Sequence, residues 1–100
     1  MTPTYDALIF GLAYLNGPRA TLSFGGDGAK MAITPRARVA LNCLINCGFA
    51  EKSDPTDQIN GREYFRGLSK DLGLLAKERG LDPFSMDNRW TTFEKIGGAA

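Results

Sequence analysis

The chain contains no histidine. That removes the commonest general base, the usual activator of a nucleophile and a common zinc ligand. Cysteine is scarce, with only Cys43 and Cys47. Four residues apart on a helix, the two face the same way, but two thiols do not make a structural zinc site, and a helix suits a disulfide poorly at that spacing. They read as small, part-buried residues of a reducing compartment. No apolar run is long enough to span a bilayer, and the first residues, MTPTYDA, carry no basic n-region. The expectation is a cytoplasmic protein with no membrane segment. An excess of one charge is missing as well. Twelve Lys and Arg against eleven Asp and Glu leave a net of +1, too little to hold nucleic acid by bulk electrostatics. The acids mostly sit beside bases, as in Glu51-Lys52, Lys70-Asp71, Lys77-Glu78-Arg79 and Glu94-Lys95, which is how solvated faces look. An enzyme needs titratable groups that converge, and none is legible, so neither catalysis nor a cofactor is expected. The Gly-rich FGGDG at 24–28 lacks the Lys-Ser/Thr of a phosphate loop and the full dinucleotide fingerprint, and reads as a turn.

The chain has 100 residues and an ordinary apolar share, which means one domain with a modest core, over 1–96, and a fraying tail at 97–100; the mixed helix and strand signals below make its expected class α+β. Its organising stretch is Ile33 to Ser69. Thr34 is a good N-cap and Pro35 suits the first helical position. Ala37, Ala40, Leu41, Leu44 and Ile45 recur at helical spacing and form one apolar face. Gly48 supplies the stop. A short, partly alternating run from Phe49 to Ser53 follows, then turn chemistry at Asp54-Pro55-Thr56-Asp57 and Asn60-Gly61. Arg62 to Ser69 returns as a second strand, with Tyr64, Arg66 and Leu68 on one side and Glu63 and Phe65 on the other.

Helix, glycine, strand, polar loop, strand is the order of a recognition helix followed by a wing. Over 33–69 the sequence resembles a winged helix-turn-helix domain, and its wing is similar to that of the MarR-type (multiple-antibiotic-resistance regulator) family. The matching residues are Gly48, Phe49, Ala50, Glu51, Lys52, Asp54, Pro55, Thr56 and Asp57, then Leu68-Ser69 before a helix. Gln58 and Ile59 stand where the family usually has basic residues, the loop before Leu68 is longer, and Arg62 is the nearest base. The resemblance implies the order helix, strand, short helix, helix, β-hairpin wing, helix. It also implies sequence-specific binding of duplex DNA by a small dimeric transcriptional regulator.

Thr4 can cap a first helix running to about Asn16, with Asp6 in its first turn. That helix is apolar nearly all round, so it should be covered on more than one side. A second copy of the chain would do this, with Leu8, Ile9, Phe10 and Leu12 as the homodimer interface; the alternative is cover by the C-terminal helices. Residues 20–33 stay open. Leu22 and Phe24 alternate with Thr21 and Ser23 as a strand, and 28–32 is then either a short helix, which the winged order favours, or the return strand of a hairpin. A helix capped by Ser69 should run through Arg79, with Leu68, Leu72, Leu75 and Ala76 inward. A short last helix is expected over 87–96, from the spacing of Trp90, Phe93 and Ile96.

At 100° per residue the face of helix 34–48 opposite its apolar side carries Val39, Asn42, Cys43 and Asn46, flanked by Arg36 and Arg38. Recognition helices touch bases mainly through N-terminal residues, so Arg36, Arg38 and Asn42 are the candidate base readers. Thr34 and the first N–H groups could hold a phosphate, and Lys30, Lys52 and Arg62 could add backbone contacts. The competing reading is a winged-helix-like protein-interaction module, such as a phage- or plasmid-encoded inhibitor or adaptor. It is favoured by the near-zero charge, the absence of an effector domain, and Val39 and Cys43 on the supposed reading face.

Overall fold

Thr4 accepts a hydrogen bond from the Ala7 N–H at 3.2 Å and opens α1, Tyr5–Tyr14. The helix ends at Tyr14, two residues short of the expected Asn16, and Leu15 caps it with its N–H on the Gly11 carbonyl. The chain then turns into β1, Thr21–Gly25. The computed structural model describes residues 2–53, 61–68, 71–81 and 91–96. Within them β1 is followed by β2 (Met31–Ile33), α2 (Pro35–Asn46), β3 (Ala50–Ser53), β4 (Arg62–Gly67), α3 (Asp71–Glu78) and β5 (Phe93–Lys95).

The α2 boundaries follow the sequence signals. Thr34 caps the helix through its hydroxyl on the Ala37 N–H, and Pro35 opens it. At the far end the Phe49 N–H reaches the Leu44 carbonyl at 2.9 Å and the Gly48 N–H the Ile45 carbonyl at 3.1 Å. This pair of bonds needs a left-handed residue between helix and strand, and Gly48 supplies it at φ +83°. β3 then pairs antiparallel with β4, Glu51 opposite Arg66 and Ser53 opposite Tyr64, as the wing pattern predicts. The expected loop at 54–60 and the Ser69 cap lie outside the described residues, as do 87–90 of the expected last helix and the tail at 97–100.

β4 is the central strand. It also pairs antiparallel with β1, giving a sheet in the order β1-β4-β3. One face of this sheet carries Leu22, Phe24, Ala50 and Phe65 into a core with Ala7, Leu8 and Phe10 of α1, Ala37, Ala40, Leu41 and Leu44 of α2, and Leu72 of α3. The result is an α+β layer of helices on an antiparallel sheet. Phe24 and Phe65 stack with centroids 5.3 Å apart.

Three expectations are corrected. First, 28–32 forms no helix. Gly25, Gly26 and Gly28 all take positive φ and reverse the chain, which leaves too few residues before Thr34 for even a short helix. The segment becomes β2, and its ladder partner is β5 rather than β1. Second, 93–96 is not helical: Phe93–Lys95 is strand, and Ile96 closes it with an N–H bond to the Lys30 carbonyl. Phe93 packs edge-on against both Tyr14 and Phe24 and ties this small second sheet to the core. Third, Leu8, Ile9 and Phe10 are buried within the single chain and Leu12 is half-buried. α2 and α3 pack against α1, and Gly11 marks the crossing, where Leu72 and Leu44 come so close that a Cβ would meet their methyl groups at 2.8 and 3.1 Å. The proposed homodimer face on α1 is therefore core, and the apolar helix gives no reason to invoke a second copy.

Candidate functional site

The exposed stripe of α2 runs through Pro35, Arg36, Val39, Asn42 and Asn46, with Cys43 half-buried beside it. This is the face that the apolar periodicity leaves to solvent. The side chains picked out for DNA are not free on it in the way a reading face requires. Thr34 is buried. Its hydroxyl donates to the Thr91 carbonyl at 2.9 Å and accepts from the Ala37 N–H, and its own N–H bonds the Thr92 carbonyl at 2.9 Å. Nothing of Thr34 remains to hold a phosphate, because Thr91 and Thr92, which lead into β5, take up its hydrogen bonds.

Arg36 is exposed but grips Asp6 of α1 with two bonds of 2.7 Å, Nε to Oδ2 and Nη2 to Oδ1. Those hydrogen bonds hold the Asp6 carboxyl below its ordinary range and raise the Arg36 guanidinium. Arg38 does not point to solvent with Val39. It sits at the flank of the apolar face and turns to the sheet, its guanidinium carbon 5.0 Å from the centre of the Phe24 ring. It also forks onto Glu63 of β4 at 3.1 and 2.8 Å. The Arg38 hydrogen bonds are the main reason that Glu63 ionises below its ordinary range, and Lys52 adds to the effect. Lys52 itself stands 3.6 Å from the Glu63 carboxylate. Arg66 is likewise paired, across the hairpin with Glu51. Arg38, Lys52 and Glu63 thus form one clamp between α2 and the strands β3 and β4.

Arg62 differs from these. Its Nε and Nη2 meet only the hydroxyl of Ser23, at 3.2 and 3.1 Å, and among the described residues no carboxylate reaches it. Asn42 is exposed on α2. The seven residues expected to touch DNA are therefore divided: Arg36 and Asn42 lie on the outer stripe, Arg38 and Lys52 are gathered on Glu63, Arg62 is at the Ser23 edge, Lys30 is exposed just before β2, and Thr34 is inside.

Reading the sequence alone missed the neighbourhood of Val39. This side chain is 68% exposed and Tyr5, across from it on α1, is 57% exposed. With Thr4, Ala40 and the Asp6–Arg36 pair they line a groove of about 460 Å³ between the two helices. The available signal was Tyr5 at the very start of a helix whose other apolar residues are all later in the chain. Cys43 and Cys47 are unbonded thiols, both half-buried, and burial followed by the neighbouring Cys43 pushes the Cys47 thiol up. Among the described residues no three His, Cys, Asp or Glu cluster as a metal site would require, and no helix is long and apolar enough to cross a membrane.

Comparison with known protein families, with characterised proteins and with solved structures finds no match to this chain.

Proposed function

We propose that this protein is a winged-helix-like interaction module that docks a protein partner on the outer stripe of α2 and the first turn of α1. The winged-helix likeness rests on the run α2, Gly48, β3, β4, with the returning strand at the centre of the sheet. The observation that carries the choice of partner is the state of the cations around α2. Arg36, Arg38 and Lys52 are each matched by a carboxylate of the same chain, while Val39 and Tyr5 stand uncovered beside them. A DNA face needs the reverse, cations looking outward that exchange counterions with phosphates. A protein face is served by apolar and aromatic side chains at its centre with a charged pair at the rim, and Tyr5, Val39 and Asp6–Arg36 have that arrangement.

The test uses a photo-reactive phenylalanine derivative placed at Val39, in cells that naturally produce the protein. A discrete cross-linked protein adduct is expected there, and none from the same probe at Lys77, which is exposed on α3. Equal labelling from both positions, or none from either, would count against the docking face.

DNA binding is the second reading, and one observation favours it. The Arg36–Asp6 pair is exposed, where solvent and salt screen it, so a phosphate could displace Asp6. Retention of genomic duplex fragments at low salt, with a steep loss as salt rises, would move the balance to DNA.

A further inference from the structure

The cavity between the Gly25–Ala29 turn, β2 and the first residue of β4 is used by nothing described so far, and it shares no residue with the α2 stripe. It measures about 390 Å³, inside the roughly 300–1,000 Å³ range of small-molecule pockets. Its walls are of two kinds. Met31 and Phe93 give it an apolar floor, and Met31 is 46% exposed although it lies in a strand. Arg62, Lys30 and the Ser23 hydroxyl supply the polar side.

The charge balance around this cavity is unlike that of the rest of the sheet. Arg38, Lys52 and Arg66 all face carboxylates. Glu63 is next to Arg62 in sequence, but strand alternation sends it to the other face, where Arg38 and Lys52 hold it. Arg62 is left with a neutral hydroxyl, and among the described residues Lys30 has no carboxylate partner either. Asp27 is the acid of the adjoining turn and is exposed, but it does not line the cavity. Two cations therefore line one recess, and among the described residues no carboxylate pairs with either. A guanidinium fork beside an ammonium point charge is a pairing suited to phosphate oxygens. The Ser23 oxygen accepts from Arg62, which leaves its own hydrogen to donate.

We propose that this recess binds a phosphate monoester carried on a flat ring, either an aryl phosphate or a mononucleotide, with the phosphate on Arg62, Lys30 and Ser23 and the ring on Met31 and Phe93. The proposal is independent of the docking face on α2.

Amide NMR titration of the intact protein tests it, with phenyl phosphate and adenosine 5′-monophosphate as probes, and inorganic phosphate and benzyl alcohol as the two halves of the ligand. Saturable shifts are expected at Phe24, Gly25, Lys30, Met31 and Arg62 with at least one of the ring phosphates, and the tighter of the two identifies the source. Inorganic phosphate should bind about tenfold more weakly, because it leaves the floor unused. Arg62→Gln and Lys30→Gln alter exposed side chains, and each should weaken the ring phosphate by about tenfold, whereas Lys77→Gln should not. The proposal is overturned if no saturable shift appears by about 10 mM, or if inorganic phosphate binds as well as the ring phosphates. Unchanged affinity in both the Arg62 and Lys30 variants would overturn it too.

Discussion

Gly67 closes β4 at a point where the strand meets the backbone of the α1–β1 turn. A Cβ built there would stand 2.3 Å from the Gly17 carbonyl oxygen and 2.5 Å from that of Leu15. Ordinary contact begins at 3.4 Å, so one wall would have to retreat by about 1 Å, and both walls are main chain. The same retreat pulls on the bonds from the Gly67 N–H to the Ala20 carbonyl and from the Leu68 N–H to the Phe49 carbonyl, each 2.9 Å. Overpacking costs about 1–3 kcal/mol and a strained hydrogen bond about 1 more, so Gly67→Ala should destabilise the domain by about 2–4 kcal/mol. On a total of about 5–15 kcal/mol this is a large share, and the urea midpoint should fall by roughly 2 M. Two other glycines provide the internal comparison. At Gly73, within α3, a Cβ meets nothing within 4 Å, so Gly73→Ala should gain about 0.5–1 kcal/mol of helix propensity. At Gly11 the contacts are the ends of Leu72 and Leu44 side chains, which can rotate, so helix gain and repacking should nearly cancel, to within about 1 kcal/mol. Urea unfolding followed by circular dichroism gives all three values. A Gly67→Ala protein within about 0.5 kcal/mol of the parent, or one no less stable than Gly11→Ala, would refute the close approach of β4 to the turn.

Replacing Arg38 with Met should cost no more than about 1 kcal/mol, since its pair with Glu63 is partly solvated, and a double-mutant cycle with Glu63→Gln should recover a coupling of about 0.5 kcal/mol; a coupling of zero would mean that no clamp joins α2 to β4. Asp6 and Glu63 both ionise below their ordinary range, because Arg36 and Arg38 hydrogen-bond them. A depressed folded-state value stabilises the fold above the ordinary carboxylate range, and that share is lost as pH falls through and below about 4. Urea midpoints should therefore drop on acidification, and Glu63→Gln should make the drop shallower. Burial pushes the Cys47 thiol up, so thiol titration at neutral pH should be slow in the native protein and fast in guanidinium, and equal rates would show an open site.

Where the sequence and the structure agree, the information was local. The cap at Thr34, the stop at Gly48 and the alternation around Phe65 each decide their outcome within a few residues, and all three are present. What failed was decided from far away. Met31 and Lys95 are partners across most of the chain length, in strands of three residues each, which is too short for a period of two to be told from a period of 3.6. Trp90, Phe93 and Ile96 happen to be three apart, which looks helical when their partner strand is unknown. The angle of Arg38 on the helix alone points it to the reading face. Its true direction depends on Glu63, which the β3–β4 hairpin brings alongside, and on Phe24 of β1. The burial of Ile9 and Phe10 was likewise undecidable locally: an apolar helix can be covered by its own chain or by another, and only the packing of α2 and α3 on α1 settles which.

The exchange of a helix for a strand before α2 also changes how α2 is held. In a helix-turn-helix the preceding helix braces the recognition helix and leaves its N-terminus open toward the phosphates. Here the brace is the residue pair just before β5, Thr91 and Thr92. Thr34 accepts one bond from α2 and makes two to that pair, so the helix N-terminus is closed by the chain itself. Thr34→Ala should then cost more than a lost cap, about 2 kcal/mol rather than about 1, since the Thr91 carbonyl loses its donor as well. Thr34→Ser keeps both bonds and loses only a methyl group, so it should retain most of the stability. If Thr34→Ala costs no more than an ordinary exposed cap, the Thr34 link to β5 adds nothing to how α2 is held. The start of the helix would then be open again to an anion.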